Sequence, residues 1–132
     1  MILDTSALVA ILFGEPEADG MARAIASDPI REMSAVTALE LFIVVESKKG
    51  PRGTEELETL LSDLHVNIAA FDATQARRAF AAWRRFGKGR HPASLNLGDC
   101  CTFAIAAERG DAVLCKGEDF NRTDCMLVRL DQ

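Results

Sequence analysis

The segment MILDTSALVAIL (residues 1–12) decides the fold class of this chain. Residues 1–3 are apolar and end at Asp4, and a short apolar run of this kind is typical of a fully buried strand in a parallel sheet. Residues 6–13 follow a helical pattern that stops at Gly14. A strand followed directly by a helix, with an acid at the junction, predicts an α/β domain.

The same alternation continues along the rest of the chain. Further helices are predicted over residues 15–26, 35–49, 54–64, 73–86 and 98–109. Further strands are predicted near Met33 and over residues 66–71, 112–115 and 126–130. Strands that alternate with helices favour a largely parallel sheet, in which the functional site lies beyond the carboxyl ends of the strands.

The composition is that of an ordinary globular domain. Its 132 residues are 48 % apolar and 27 % charged, so we expect one domain over residues 1–132 and exclude disordered or collagen-like chains. The net charge of −5 argues against nucleic-acid binding by overall positive charge. No apolar run approaches the roughly 18 residues of a membrane span, and the start lacks the basic segment of a signal peptide. The four cysteines form no CxxC pair and are interpreted as buried thiols in a reducing cytoplasm.

Four acidic residues occupy notable positions. Asp4 and Asp119 each follow a predicted strand, and Asp99 lies in the first turn of a predicted helix. Individually, these three are explained as a helix N-cap, a turn residue and a partner of the helix dipole. Glu40 falls inside an apolar helical stripe formed by Val36, Leu39, Ile43 and Val44. A buried salt bridge with Arg or Lys, or a position at a wet rim, explains Glu40 equally well.

Considered together, the four acids predict a metal site. Their positions can converge at one edge of a parallel sheet, where several carboxylates repel one another unless a cation joins them. A ligand set made only of oxygen atoms selects Mg²⁺ or Mn²⁺ over zinc, and the chain has only two histidines and no zinc-binding spacing. Such a site suits phosphoryl chemistry, and the sequence leaves open whether one or two ions bind.

One segment of this acidic chain is strongly basic. Residues 73–98 contain no acid, and their basic side chains are Arg77, Arg78, Arg84, Arg85, Lys88 and Arg90. A solvated helix face is the ordinary explanation, whereas the single sign of the charge favours a track for the backbone of a phosphate polymer. The helical pattern places Trp83 in the buried stripe and not in a base-stacking platform.

Four segments also carry a family resemblance: MILDTSALVAIL at the start, SAVTALELFIV in the first third, LNLGDCCTFAIA near residue 100 and LCKGEDF near the end. In this order and spacing they resemble the PIN-domain ribonucleases and, among these, the VapC-like toxins of type II toxin–antitoxin systems. The resemblance implies a three-layer α/β/α sandwich with a central, mostly parallel sheet. It also implies Mg²⁺- or Mn²⁺-dependent endonucleolytic cleavage of RNA.

The resemblance assigns roles to single residues. Asp4 and Asp99 are the expected principal metal ligands, and Glu40 is expected to bind the metal directly or through water. Asp119 is expected to hold a water molecule of the metal. The hydroxyl of Thr5 or Ser6 is expected to orient Asp4 or the phosphate.

The resemblance further implies partners. A homodimer is expected, together with a VapB-like antitoxin that forms a toxin–antitoxin hetero-oligomer and contacts DNA on behalf of the complex. An Arg or Lys of the antitoxin could reach the carboxylates and compete with the metal. The apolar helical faces of residues 18–26 and 57–64 are either partner surfaces or core.

Two other functions stay open. A receiver-like, Mg²⁺-dependent phospho-acceptor shares the α/β pattern and the late Lys116, but this chain lacks an early pair of consecutive acids. A non-catalytic RNA-binding module fits the basic segment, whereas the inward position predicted for Glu40 argues against it.

Overall fold

The computed structural model describes residues 1–130, in which a four-stranded parallel sheet forms the centre of the molecule. The strands are β1 (Ile2–Leu3), β2 (Glu32–Ser34), β3 (Asn67–Ala69) and β4 (Val113–Leu114), in the spatial order β3-β2-β1-β4. All three strand pairs are parallel, and β1 is central: Ile2 pairs with both Glu32 and Val113. The carboxyl ends of the strands therefore meet at one edge of the sheet.

Helices cover both faces of this sheet. They are α1 (Thr5–Leu12), α2 (Ala18–Ser27), α3 (Ala35–Asp63), α4 (Ala73–Phe86) and α5 (Leu97–Arg109), followed by a short 3-10 turn (Asp119–Arg122). Successive strand residues point to opposite faces. Leu3 and Leu114 accordingly pack in a core with α1, α2 and α3, whereas Ile2 and Val113 pack against α5. The predicted three-layer α/β/α sandwich is confirmed.

The segment α3 contains the two helices predicted over residues 35–49 and 54–64. They are separated at Gly50, whose φ of 71° and ψ of −172° are not helical. Glycine accepts this conformation without the strain that a side chain adds. Pro51 begins the second helix, where no helical N–H bond is needed, so this helix starts three residues earlier than predicted. The Gly-Pro pair ends the first helix, as predicted.

The predicted last strand, residues 126–130, is reduced to a single parallel bridge between Val113 and Leu127. Val113 N donates to Met126 O at 2.9 Å, and Val128 N donates to Val113 O at 2.9 Å. The prediction of a full strand is wrong because β4, its partner, has only two residues that offer ladder bonds.

The two helical faces considered as partner surfaces are core. Met21 and Ile25 of residues 18–26, and Leu57 and Leu61 of residues 57–64, are buried in the same cluster as Leu3. The large apolar side chains that are exposed lie elsewhere, and include Leu39, Ile43, Phe80, Trp83 and Leu97. No helix within residues 1–130 combines the length and apolar character that a bilayer crossing requires.

Candidate active site

Asp4 is the central acid of the site. It follows β1, caps the N-terminus of α1 and is almost fully buried. Its Oδ2 accepts hydrogen bonds from Ser6 N at 3.1 Å and from Ser6 Oγ at 2.7 Å, and its Oδ1 accepts one from Thr102 Oγ1 at 3.3 Å. Because each carboxylate oxygen has its own donor, the side chain is fixed in one orientation.

Glu40 is held between α1 and α5. Its Oε1 accepts a hydrogen bond from Thr5 Oγ1 at 2.8 Å. Its carboxylate also lies against Gly98, where an added Cβ would be 2.6 Å from Oε2. The absence of a side chain at Gly98 therefore allows Glu40 to approach the start of α5, next to Asp99.

Asp99 lies in the first turn of α5 and forms a reciprocal capping box with Asn96. Its N–H donates to Asn96 Oδ1 at 2.8 Å, and its Oδ2 accepts from Asn96 N at 3.1 Å. Burial, followed by the charges of Asp4, Asp119 and Glu40, raises the pKa of Asp99 to about 7, against the lowering effect of the Asn96 hydrogen bond. The structure thus brings the four predicted acids close enough to interact electrostatically.

No cation neutralises these acids. Within residues 1–130, neither Asp4, Glu40, Asp99 nor Asp119 forms a salt bridge. The explanation of Glu40 as half of a buried salt bridge is therefore wrong, because its partner is the hydroxyl of Thr5. Asp119 differs from the other three, since it is exposed at the start of the 3-10 turn.

The acids do not form a ready-made metal cage. Among residues 1–130, no three His, Cys, Asp or Glu side chains are already gathered in a metal-binding arrangement. The reason is local, because Asp99 bonds to its own capping residue and Glu40 bonds to Thr5. A metal would have to draw these carboxylates away from their present partners.

The donor atoms nevertheless fit a hard divalent cation. They are carboxylate and hydroxyl oxygens, which suit Mg²⁺ or Mn²⁺. The thiol of Cys115 does not compete, since burial and then the charge of Asp4 raise its pKa to about 12. The four cysteines are free thiols, with Cys100 and Cys101 buried and Cys115 and Cys125 partly exposed.

The two hydroxyl residues that follow Asp4 have different partners. Ser6 bonds to Asp4 and also accepts a hydrogen bond from Lys116 N at 2.8 Å, which ties the loop after β4 to the site. The Thr5 hydroxyl makes no hydrogen bond to Asp4, contrary to one of the two roles considered for it, because it is directed at Glu40.

Several residues of the site are not evident from the sequence. Thr102 links Asp4 to α3, because its Oγ1 also lies 3.0 Å from Thr37 Oγ1. Gly98 makes room for Glu40, and Asn96 orients Asp99. The available signals are weak: an Asn-x-x-Asp spacing, and a threonine three residues after Asp99 on the same helix face.

The stripe that contains Glu40 is not the core face of α3. Leu39 and Ile43 are 58 % and 57 % exposed, and the buried face consists instead of residues such as Leu41 and Val45. The stripe lines a shallow apolar groove beside Leu97 and Gly98. Glu40 is half-buried because it faces the start of α5, and not because the stripe enters the core.

The six basic side chains of residues 73–98 are all exposed, but they do not form one track. Arg85 forms a salt bridge with Asp124 at 2.7 Å, and both line a pocket beside the C-terminal half of α5. Lys88 instead lines a groove on another side of α4. Trp83 also lines that groove and is 37 % exposed, so the prediction that it is core is wrong.

Comparison with known proteins now defines the family. The PIN-domain family model matches residues 1–125, so the chain belongs to the PIN-domain family. Ribonuclease VapC of Mycolicibacterium smegmatis is 49 % identical over 128 residues, which is 97 % of this chain and 99 % of that protein. Ribonuclease VapC30 of Mycobacterium tuberculosis is 45 % identical over 130 residues, which is 98 % of this chain and 99 % of that protein. Within the family, the chain groups with the VapC ribonucleases.

Solved structures share the fold at low identity. VapC20 of Mycobacterium tuberculosis, described as a sarcin–ricin loop cleaving toxin, matches with a TM-score of 0.78 at 20 % identity and covers 97 % of this chain and 98 % of its own. VapBC2 of Rickettsia felis, solved with a DNA fragment from its promoter, matches with a TM-score of 0.78 at 17 % identity and covers 98 % of both chains. The family match leaves no reason to favour a receiver-like phospho-acceptor.

Proposed function

We propose that this protein is a divalent-metal-dependent endoribonuclease that acts as the toxin of a toxin–antitoxin pair, with residues 1–132 as one nuclease domain. The observation that carries the proposal is the group of four interacting acids, supplied by four separate segments and neutralised by no Arg or Lys of residues 1–130. The names of the VapC relatives, which are ribonucleases, support the same activity.

Asp4 and Asp99 are proposed to hold Mg²⁺ or Mn²⁺, with Glu40 and Asp119 binding directly or through water. When bound, the cation activates water and offsets the charge that develops on the scissile phosphate. The chain's own contribution is to keep Asp4 aligned through Ser6 and Thr102. Asp99 must lose its proton and turn from Asn96 to become a ligand, so metal binding is favoured above its pKa of about 7.

The exposed cations of α4 and the loop after it are proposed to hold the RNA backbone. These are Arg77, Arg78, Arg84, Lys88 and Arg90. Within the described residues none of them forms a salt bridge, so they are available to phosphates. Arg85 is excluded from this set because Asp124 already engages it.

A VapB-like antitoxin and a second copy of the chain are the proposed protein partners. Solved VapBC complexes with the same fold support the first, and any contact with DNA is assigned to the antitoxin. The exposed apolar side chains of Leu39 and Ile43 are proposed as the dimer surface, since water contact with them is unfavourable. An Arg or Lys side chain of the antitoxin could inhibit RNA cleavage by entering the group formed by Asp4, Glu40, Asp99 and Asp119. Cleavage of cellular RNA would take place in the cytoplasm.

The test is a cleavage assay on purified protein with a structured RNA. We expect cleavage with Mg²⁺ or Mn²⁺, loss of cleavage with a chelator, and recovery when the metal is restored. Asp99→Asn should be inactive, whereas Glu58→Gln, which removes an exposed acid far along α3, serves as the matched control. An Asp99→Asn protein that cleaves as fast as wild type contradicts the proposed role. RNA binding without cleavage would instead favour the non-catalytic module.

A further inference from the structure

An open apolar groove lies between α4 and the start of α5, beside the acids. Its volume is about 720 Å³, and its lining includes Phe80, Trp83, Lys88, Asn96 and Leu97. Phe80 is 56 % exposed and Leu97 is 77 % exposed, so large apolar surfaces face solvent here. Surfaces of this kind in a folded domain mark a binding site.

Two aromatic rings line the groove. The rings of Phe80 and Trp83 are stacked on each other, with centroids 6.0 Å apart and an interplanar angle of 15°. Gly87 leaves room for the indole, since an added Cβ there would lie 2.4 Å from Trp83 Cδ1. The two rings therefore support each other at one position in the groove.

Guanidinium groups lie over both rings. The guanidinium of Arg84 lies 5.4 Å from the centre of the Phe80 ring, and that of Arg90 lies 4.9 Å from the centre of the Trp83 ring. Lys88 stands at the edge of the groove. Because residues 73–98 contain no acid, this charge is not balanced locally. Such a rim is complementary to a polyanion and repels a cationic partner.

The groove leads to the proposed catalytic acids. Asn96, which lines it, donates its N–H to Asp99 Oδ2 at 3.1 Å. Leu97 is followed by Gly98, against which Glu40 packs. The residues at this end of the groove are therefore direct neighbours of Asp99 and Glu40.

We propose that this groove binds an unpaired nucleobase of the RNA substrate by packing it against the Phe80–Trp83 pair and the guanidinium planes over it, while Arg84, Lys88 and Arg90 contact the flanking phosphates. The proposal rests on the function proposed above. Aromatic rings with cations beside them are the general means by which proteins hold single-stranded RNA, because every base has a π-face. The groove therefore selects RNA substrates in which a base next to the cleaved bond is unpaired.

Trp83 reports on this binding directly, because it is the only tryptophan of the chain. The experiment uses the Asp4→Asn variant in the presence of a chelator, so that the RNA is not cleaved. The tryptophan fluorescence of this variant is measured as a uridine hexanucleotide is added. We expect saturable quenching by the hexanucleotide. An abasic ribose-phosphate chain of equal length and charge should give none, since it has no base to stack.

Variants separate stacking from charge and from folding defects. Trp83→Ala should weaken binding of a labelled hexanucleotide about tenfold, as expected for one stacked base, and Trp83→Phe should largely restore it. Met126→Ala removes an exposed apolar side chain that does not line the groove, and this variant should bind like the Asp4→Asn parent. Each variant's circular dichroism spectrum checks its fold.

Any of three outcomes overturns the proposal. The first is quenching by the abasic chain that is as strong as quenching by the hexanucleotide, and the second is unchanged RNA affinity in Trp83→Ala. The third is tryptophan fluorescence that changes with protein concentration in the absence of RNA, because a second copy then covers the groove. If Trp83→Ala cleaves RNA in a metal-dependent way with an unaltered KM, the groove proposal is rejected and the nuclease function stands. If the hexanucleotide gives base-dependent quenching but the wild-type protein never cleaves RNA, the nuclease function is rejected and the groove proposal stands.

Discussion

The acidic edge and the basic helix α4 show two different ways in which one chain concentrates charge. The acids come from four separate segments, and only the fold brings them together. The cations are contiguous in sequence, and the fold distributes them over different sides of α4. Burial and mutual repulsion act on the acids, with a raised pKa at Asp99, whereas the cations remain solvated. Convergence of charge therefore depends on tertiary structure, and a charged run in sequence does not by itself form a site.

Among variants that keep all four acids, the most severe break in the acidic edge is expected from Gly98→Ala. The new Cβ would lie 2.6 Å from Glu40 Oε2 and displace the carboxylate from Asp99. We expect kcat of RNA cleavage to fall about a hundredfold, the scale of a misplaced catalytic group. Gly20→Ala is the matched control, because its Cβ would meet Leu130 Cδ1 at a comfortable 3.6 Å. Equal rates for the two alanine variants would contradict the assigned position of Glu40.

Thr102→Val tests the fixation of Asp4 without changing side-chain volume. Valine removes the donor to Asp4 Oδ1 and the hydroxyl contact with Thr37. Loss of a group that orients a metal ligand costs about tenfold or more in metal affinity. The dissociation constant of Mn²⁺, measured by calorimetry, is therefore expected to rise by this factor. Addition of more Mn²⁺ should restore most of the cleavage rate, as a positioning role requires.

Asp99→Asn tests the repulsion within the acidic edge. In the metal-free protein the folded-state pKa of Asp99 is about 7, above its ordinary value of 3.8. Its contribution to stability is therefore fully present below pH 3.8 and is lost as the pH rises through 7. The asparagine variant escapes this loss, so its Tm relative to wild type should rise between pH 4 and pH 7 and then level off. A Tm difference that is constant across this pH range contradicts the prediction.

Two neighbouring arginines of α4, Arg84 and Arg85, test whether a cation that is already paired contributes to RNA binding. Arg84 lies over Phe80 without a salt bridge within the described residues, whereas Arg85 is bonded to Asp124. In Arg84→Ala, the slope of log K for RNA binding against the logarithm of the salt concentration should become shallower by about 0.7. Arg85→Ala should leave that slope unchanged. The slopes come from binding titrations at several salt concentrations in a chelator.

The sequence reveals the acidic edge better than its surroundings. Asp4 and Asp99 are predictable because strand ends and helix starts are local patterns. The exposure of Leu39 and Trp83 is not, because a helical stripe has the same appearance whether it faces the core or a groove. Thr102 and Gly98 matter only through contacts with residues far away in the chain, and spacing cannot reveal such contacts.

The break at Gly50 shows a similar limit at the level of the fold. A Gly-Pro pair predicts that the first helix ends, but the direction of the next helix depends on where Leu57 and Leu61 can be buried. Here both pack into the core that contains Leu3, and the second helix starts directly after the break.

Calorimetric titration of the metal-free protein with Mn²⁺ tests the central claim most directly, with no RNA present. The account predicts saturable binding to wild type and to Glu58→Gln, and its loss in Asp4→Asn, since the acids have no other counter-ion within residues 1–130. Absence of binding to wild type, or equal binding to Asp4→Asn, would contradict it.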